Sequence, residues 1–300
     1  MTIKEFAELV RIALEERTGG NVEYVEVRKN NGVILNGIVI KKTPGNVMAT
    51  IYVEQFYEKY KTDNDLEWVL NRILELYEKN QVLEHVDMSF MFDFNKIKNK
   101  IVFRLVNYNA NKELLKEVPF ISFLDLAKVF YVEIENEQFG KGSIMIRNNF
   151  MDIWNVDVEA LEKYARLNTA LMYPLVCTDL YSIILQTIFD MGEYELLEEM
   201  QQERKNNHMY VLSNNERTYG AAALCYKYAI KSCAERVESD LYIFPSSIHE
   251  VLLWPAKYGE DIEDMKKMVT EINRTQVERE EVLSDSVYVY RRKTEELTIC

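Results

Sequence analysis

The sequence predicts an α+β fold, with mixed or antiparallel sheets and helices packed on them. Three observations predict it. Breakers are scarce, 10 Gly and 5 Pro in 300 residues, where ordinary usage would be about 12%, so most of the chain must lie in helices and strands around a sizeable core. Apolar residues alternate in some segments and recur every three or four residues in others, the periods of strand and helix. The last third reads β-α-β-β-α-β, a split layer with helices on one face of an antiparallel sheet.

Ile3, Phe6, Leu9, Val10, Ala13 and Leu14 repeat at helical spacing. Thr2 and Glu5 fit a capping box, and Gly19-Gly20 stops the helix. Two extended segments follow, Val22–Arg28 and Val33–Ile40, with Asn31-Gly32 between them. Both turn residues tolerate positive φ, which a type I′ hairpin demands. A further turn is expected at Thr43–Asn46. Asp63 or Asp65 can cap a helix striped by Leu66, Val69, Leu70, Ile73, Leu74 and Tyr77. Ile101–Val106 alternates as a strand, and Phe130, Val132 and Ile134 do the same. Ile144 and Ile146 read as a partner strand after the turn at Gly140–Gly142.

Asp157 can cap a helix carrying Leu161, Tyr164, Ala165 and Leu171 that ends near Pro174. Thr178 can cap another with Tyr181, Ile184, Leu185 and Ile188, and Tyr194–Gln202 continues in helical character. Met209–Leu212 reads as a strand. Gly220 opens a helix to about Val237, with Leu224, Cys225 and Tyr228 inward. Leu241–Phe244 and Ile248–Trp254 read as strands around the turn Pro245-Ser246-Ser247. Met265, Met268, Val269 and Ile272 stripe a helix from about Asp261 to Thr275, and Val287–Tyr290 is the final strand. A loose boundary near 110–120 divides an N-terminal helix and β-hairpin region, 1–110, from a C-terminal α+β region, 111–300, expected to fold as one unit.

The net charge is −13. Residues 151–200 carry 10 acidic and 2 basic side chains, which reads as a solvated face or as a docking surface for a basic partner. The densest basic clusters, Lys96-Lys98-Lys100 and Arg291-Arg292-Lys293, are short. This balance argues against binding nucleic acid, which needs a basic face, and against an anionic membrane surface. No apolar run approaches the ~20 residues that span a bilayer. The N-terminus has acids inside its apolar pattern, unlike a signal peptide. The four cysteines, Cys177, Cys225, Cys233 and Cys300, form no C-x-x-C pair, the usage of a reducing compartment. A cytoplasmic protein is expected.

No motif completes a catalytic set. The three histidines, His85, His208 and His249, have no second His or Cys at metal-ligand spacing. His249-Glu250 begins like H-E-x-x-H, but Leu253 stands where the second His belongs. No metal and no cofactor is therefore expected. Ser246 or Ser247 could act as nucleophile with His249 as base, or the serines bond locally in the turn. Asn214 and Asn215 precede a helix opening at Gly220, an arrangement that can bind anions or simply let helix and sheet approach. Glu281 and Asp285, with Glu280, offer paired carboxylates, or a solvated helix end. These residues, Asn214, Asn215, Gly220, Ser246, Ser247, His249, Glu250, Glu281 and Asp285, form the candidate surface.

Several segments resemble a domain-of-unknown-function family of gut Clostridia and related Firmicutes: HMYVLSNNERTYGAAALCYKYAI, DLYIFPSSIHEVLLWP, MVTEINRTQVEREEVLSDSVYVY, NKELLKEVPFISFLDLAKVFYVEI and YARLNTALMYP. The resemblance covers most of the chain, most strongly residues 100–292. It implies a bacterial, intracellular origin and carries over no catalytic residue. The leading expectation is a binding or accessory protein that takes a protein or small-molecule partner. The rival is a hydrolase or transferase working at the Ser246–Glu250 hairpin. A serine hydroxyl on the imidazole of His249, in a concave pocket, would favour the rival.

Overall fold

The computed structural model describes residues 1–41, 47–80, 86–137, 140–196, 208–259 and 261–300, and the fold is α+β. The expected turn at Thr43–Asn46, residues 197–202 of the acidic middle and His85 lie outside the described residues. The chain packs into two compact units, 1–96 with 133–143, and 97–132 with 144–300.

In the first unit, helix Ile3–Thr18 begins at a reciprocal capping box. The Thr2 hydroxyl accepts from the Glu5 amide, and the Glu5 carboxylate accepts from the Thr2 amide at 2.7 Å. Gly19, at φ 63°, closes it. Strands β1 (Asn21–Arg28), β2 (Ile34–Lys41) and β3 (Ile51–Tyr52) form an antiparallel sheet in that order. Asn31 and Gly32 take φ of 56° and 68° at the β1–β2 turn, as the Asn-Gly pair predicts. Helix Leu66–Lys79 is capped by Asp65, whose carboxylate accepts from the Trp68 amide at 2.9 Å, while Asp63 ends the preceding helix, Glu54–Asp63. Phe6, Val10, Leu14, Ile38, Val69 and Ile73 meet in the core of this unit.

The second unit contains two sheets. In one, β4 (Ile101–Asn107), β6 (Leu126–Asn136) and β5 (Phe120–Phe123) run antiparallel in that order; β7 (Gly140–Met145) pairs with β6, and residues 133–143 of these two strands belong to the first unit. Ile146 is buried just beyond β7 and donates its amide to the Phe130 carbonyl at 2.9 Å. Asp157 caps helix Val158–Met172, which packs on β4. Two buried polar residues near the end of that helix pin the strand. Asn168 Nδ2 donates to the Lys98 and Ile101 carbonyls at 2.8 and 2.9 Å, and Thr169 Oγ1 accepts from the Phe103 amide at 3.0 Å. Leu171, grouped by the sequence with Leu161, Tyr164 and Ala165 on this helix, is exposed.

The other sheet has six strands: β8 (Leu175–Asp179), β9 (Tyr210–Asn214), β10 (Leu241–Phe244), β11 (Val251–Pro255), β12 (Tyr288–Arg291) and β13 (Glu296–Ile299). Their order is β13-β12-β10-β11-β9-β8, and every pairing is antiparallel. The β-α-β-β-α-β layer is thus present, with one added strand at each edge. Each helical crossover skips one strand: β9 to β10 straddles β11, and β11 to β12 straddles β10.

Three local readings are corrected. Residues 175–179 are strand, so the next helix, Leu180–Met191, is capped by Asp179 rather than Thr178; the Asp179 carboxylate accepts from the Ser182 amide at 3.0 Å. Gly220–Cys225 is a 3-10 turn, broken from helix Lys227–Val237 at Tyr226, whose ψ of 97° is extended. Tyr228 then faces outward. Strand β11 begins at Val251 rather than Ile248, because residues 245–248 pair elsewhere.

Candidate functional site

The candidate residues meet where β9 ends. Ser213, buried, donates its hydroxyl to the His249 carbonyl at 2.7 Å. Asn214, also buried, clamps the loop that follows: Nδ2 donates to the Thr218 carbonyl at 2.9 Å and Oδ1 accepts from the Thr218 amide at 3.3 Å. The loop turns through two residues with positive φ, Arg217 and Tyr219. That conformation aims the Tyr219 amide at His249 Nδ1, 3.2 Å away. Gly220 follows at a point of close backbone approach. A β-carbon there would lie 2.1 Å from Ser213 Oγ, 2.5 Å from the His249 carbonyl oxygen and 2.8 Å from the Asn214 amide nitrogen.

The second limb is a ribbon in which 245–248 runs against 281–284. The Pro245 and Ser246 carbonyls accept from the Ser284 and Leu283 amides at 2.9 and 3.0 Å, and Ile248 donates to the Glu281 carbonyl at 2.9 Å. Ser247 bridges Val282. This pairing brings the Glu281 carboxylate to 3.3 Å from His249 Nε2. Asp285 is drawn away instead, accepting from Asn273 Nδ2 at 2.8 Å.

The imidazole is therefore engaged at both nitrogens. Nδ1 accepts an amide proton, so the ring proton sits on Nε2 and points at Glu281. Ser247 Oγ accepts from the backbone amide of His249 at 3.0 Å. Among the described residues, neither serine hydroxyl reaches the imidazole. A Ser-His relay needs the free ring nitrogen on the hydroxyl, and here a main-chain N–H occupies it. Asn214, Gly220, Ser247, His249, Glu250 and Glu281 come together; the Ser246 hydroxyl and Asp285 do not join them. Asn215 is exposed, and with Asn214, Ser213 and Arg217 it lines a 270 Å³ pocket beside β8.

Burial pushes the Glu250 carboxyl above its ordinary range, and Glu281 adds to the effect, while His249, Arg217 and the Ser247 hydroxyl oppose it. A folded-state value above the unfolded one means that the native state binds the extra proton. Stability from this group is complete below the unfolded carboxylate value, about 4.3, and is lost as pH rises through the raised folded value. Glu250→Gln is thus expected to raise the melting temperature at pH 7 and to give no gain near pH 4. Thermal melts of the two proteins across that range check it.

The sequence reading missed Asp125. It sits in the two-residue turn between β5 and β6, after Leu124, whose φ is 54°. Its carboxylate accepts from the hydroxyls of Ser284 at 2.6 Å, Ser286 at 2.9 Å and Tyr288. Asn107 adds a second tie, donating to the Leu283 carbonyl at 2.9 Å. Burial first, then the Asp125 carboxylate, holds the Tyr288 phenol well above its ordinary range. Arg104 likewise stacks between Tyr131 and Tyr219, 4.1 and 3.8 Å from the ring centres. No local pattern marks either group, because the partners lie far apart in the chain.

Among the described residues, no three His, Cys, Asp or Glu side chains are grouped to hold a metal ion, and no helix is long and apolar enough to cross a membrane. His208 stacks flat on Tyr258, ring centres 3.5 Å apart. The model of a family of unknown function, DUF5688, matches residues 3–292. No curated protein and no solved structure matches the chain.

Proposed function

The chain belongs to the DUF5688 family of unknown function, and from that premise we propose that it is a binding protein whose acidic, apolar-studded surface over residues 153–196 docks a basic amphipathic helix of a partner protein. One observation carries the reading. Helix Leu180–Met191, LYSIILQTIFDM, keeps Ser182, Gln186 and Asp190 on one stripe and is largely apolar elsewhere, yet only Tyr181 and Ile188 in it are buried. A helix packs so wide an apolar face against other groups, and among the described residues this one lacks a full cover. Phe189 and Met191 are 52% and 73% exposed. Leu167 and Leu171, one turn apart on helix Val158–Met172, are 60% and 68% exposed. Neighbouring exposed apolar side chains on one helix face, as at Leu167 and Leu171, mark interaction surfaces.

Charge selects the partner. Residues 151–200 carry 10 acids against 2 bases. A second copy would bring the same charge to the interface, whereas a basic helix complements it. The polar corner at His249 supports the same reading, since its ring nitrogens and serines are engaged in holding β9, the Gly220 turn and the 281–284 ribbon together.

The test uses a fluorescent synthetic helix of alternating Leu and Lys pattern, with a Leu/Glu peptide of the same pattern as control. Anisotropy titration should detect binding of the Leu/Lys peptide that weakens with salt. Leu171→Ser and Phe189→Ser should each weaken it about 30-fold, the size of an interface hot spot of about 2 kcal/mol. Both changes should leave stability within about 0.5 kcal/mol, because the side chains are exposed. Equal binding of the Leu/Glu peptide, or full affinity in both variants, would contradict the proposal.

A further inference from the structure

Away from the polar corner, a cysteine pair lies under an arginine at the edge of the six-stranded sheet. Cys177 is the middle residue of β8, an edge strand, and is half-buried. Helix Lys227–Val237 packs on this strand and supplies two partners. Arg236 Nη2 donates to Cys177 Sγ at 3.0 Å, and Nη1 to the Cys177 carbonyl at 3.3 Å. The buried Cys233, three residues before Arg236 on that helix, lies beside Cys177. The guanidinium is fixed from a third side by the Tyr210 ring of β9, 5.2 Å from its centre.

We propose that Cys177 is a hydroperoxide-reactive thiolate and Cys233 its resolving thiol. A cation sits on the sulfur of a half-buried cysteine with a second thiol beside it, surroundings that favour thiolate over thiol. The two thiols are pushed apart accordingly. The neighbouring Cys233 thiol, then Arg236, holds Cys177 below the ordinary cysteine range against its burial. The neighbouring Cys177 sulfur and burial hold Cys233 above that range, so it keeps its proton.

In the first step the Cys177 thiolate attacks the terminal oxygen of the hydroperoxide. An S–O bond forms and the O–O bond breaks. Sulfur loses two electrons, and the alkoxide or hydroxide leaving group takes a proton from water. In the second step Cys233 gives up its proton and attacks the sulfenic sulfur. The S–S bond forms and hydroxide leaves as water with that proton. The sum is two thiols and one hydroperoxide giving a disulfide, an alcohol or water, and one further water. Cys225 and Cys300 stand outside the pair and serve as internal references.

The experiment exposes the full reduced chain to equimolar hydrogen peroxide, quenches it with iodoacetamide and maps peptides by mass spectrometry. A Cys177–Cys233 disulfide is expected to form faster than any oxidation of Cys225 or Cys300. In Cys233→Ser, Cys177 should stop at the sulfenic acid and be trapped by dimedone. In Cys177→Ser no cross-link should form and Cys233 should stay reduced. Arg236→Gln should slow the first step about tenfold, since a free cysteine is only a few per cent thiolate at pH 7, and Arg236→Lys should restore part of the rate. Circular dichroism before oxidation establishes that each variant is folded. Oxidation of Cys177 no faster than that of Cys300, or a disulfide joining other cysteines, would overturn the proposal.

Discussion

Gly220→Ala is expected to destabilise the protein by about 3 kcal/mol or more, at or beyond the upper end for inserting one methyl into a packed site. The added carbon would meet Ser213 Oγ at 2.1 Å, and rotating that hydroxyl away forfeits its bond to the His249 carbonyl. The other two close atoms, the His249 oxygen and the Asn214 nitrogen, are main chain in flanking segments. Neither can retreat without disturbing the β9–β11 region. The melting temperature should fall by about 6 °C or more. Adding Ser213→Ala relieves one contact of three and should recover only part of the loss. A melting temperature unchanged in Gly220→Ala would show that the turn can move off the sheet freely.

Asp125→Ala is expected to cost about as much, by a different route. It removes the acceptor for three hydroxyls at once. Ser284 and Tyr288 are fully buried, so water cannot replace the carboxylate at either. A hydrogen bond to a charged group contributes about 1.5–3 kcal/mol, and a donor left buried costs about 1–3 kcal/mol. A loss of about 3 kcal/mol follows, read as a lower urea midpoint at unchanged slope. Asp125→Asn keeps one acceptor and should lose less. Tyr288→Phe removes a donor without stranding one, so its loss should be smaller again. Losses under about 1 kcal/mol for Asp125→Ala would mean that the turn contributes little to holding the 284–288 segment.

Helix starts were the most legible features, because a cap is written in two or three adjacent residues. Thr2 with Glu5, Asp65, Asp157 and Asp261 each cap a helix in the structure. The Asn31-Gly32 turn was legible for the same reason. Strands that alternate, such as Ile101–Val106, could be read; Leu175–Asp179 could not, because five residues after a proline give too short a period. Its unread presence shifted the following cap by one residue, from Thr178 to Asp179.

The polar corner was legible as a set of residues and not as an arrangement. Gly220, read either as an anion-binding helix start or as a point of close approach, stands at a close approach to β9. What His249 would face was not readable, because Tyr219 and Glu281 lie 30 and 32 residues away on either side. Asp125 gave no signal at all, with partners about 160 residues downstream. Leu171 could not be told from its buried helix mates, because a stripe of apolar residues looks the same whether the chain itself or another molecule covers it.

Hydrogen–deuterium exchange of the full chain, with and without the Leu/Lys peptide, separates the docking face from the polar corner. Docking on the 153–196 surface predicts slowed exchange within helices Val158–Met172 and Leu180–Met191, and unchanged exchange at 213–220 and 245–250. Protection confined to 213–220 and 245–250, or no protection at peptide concentrations that saturate the anisotropy signal, would contradict it.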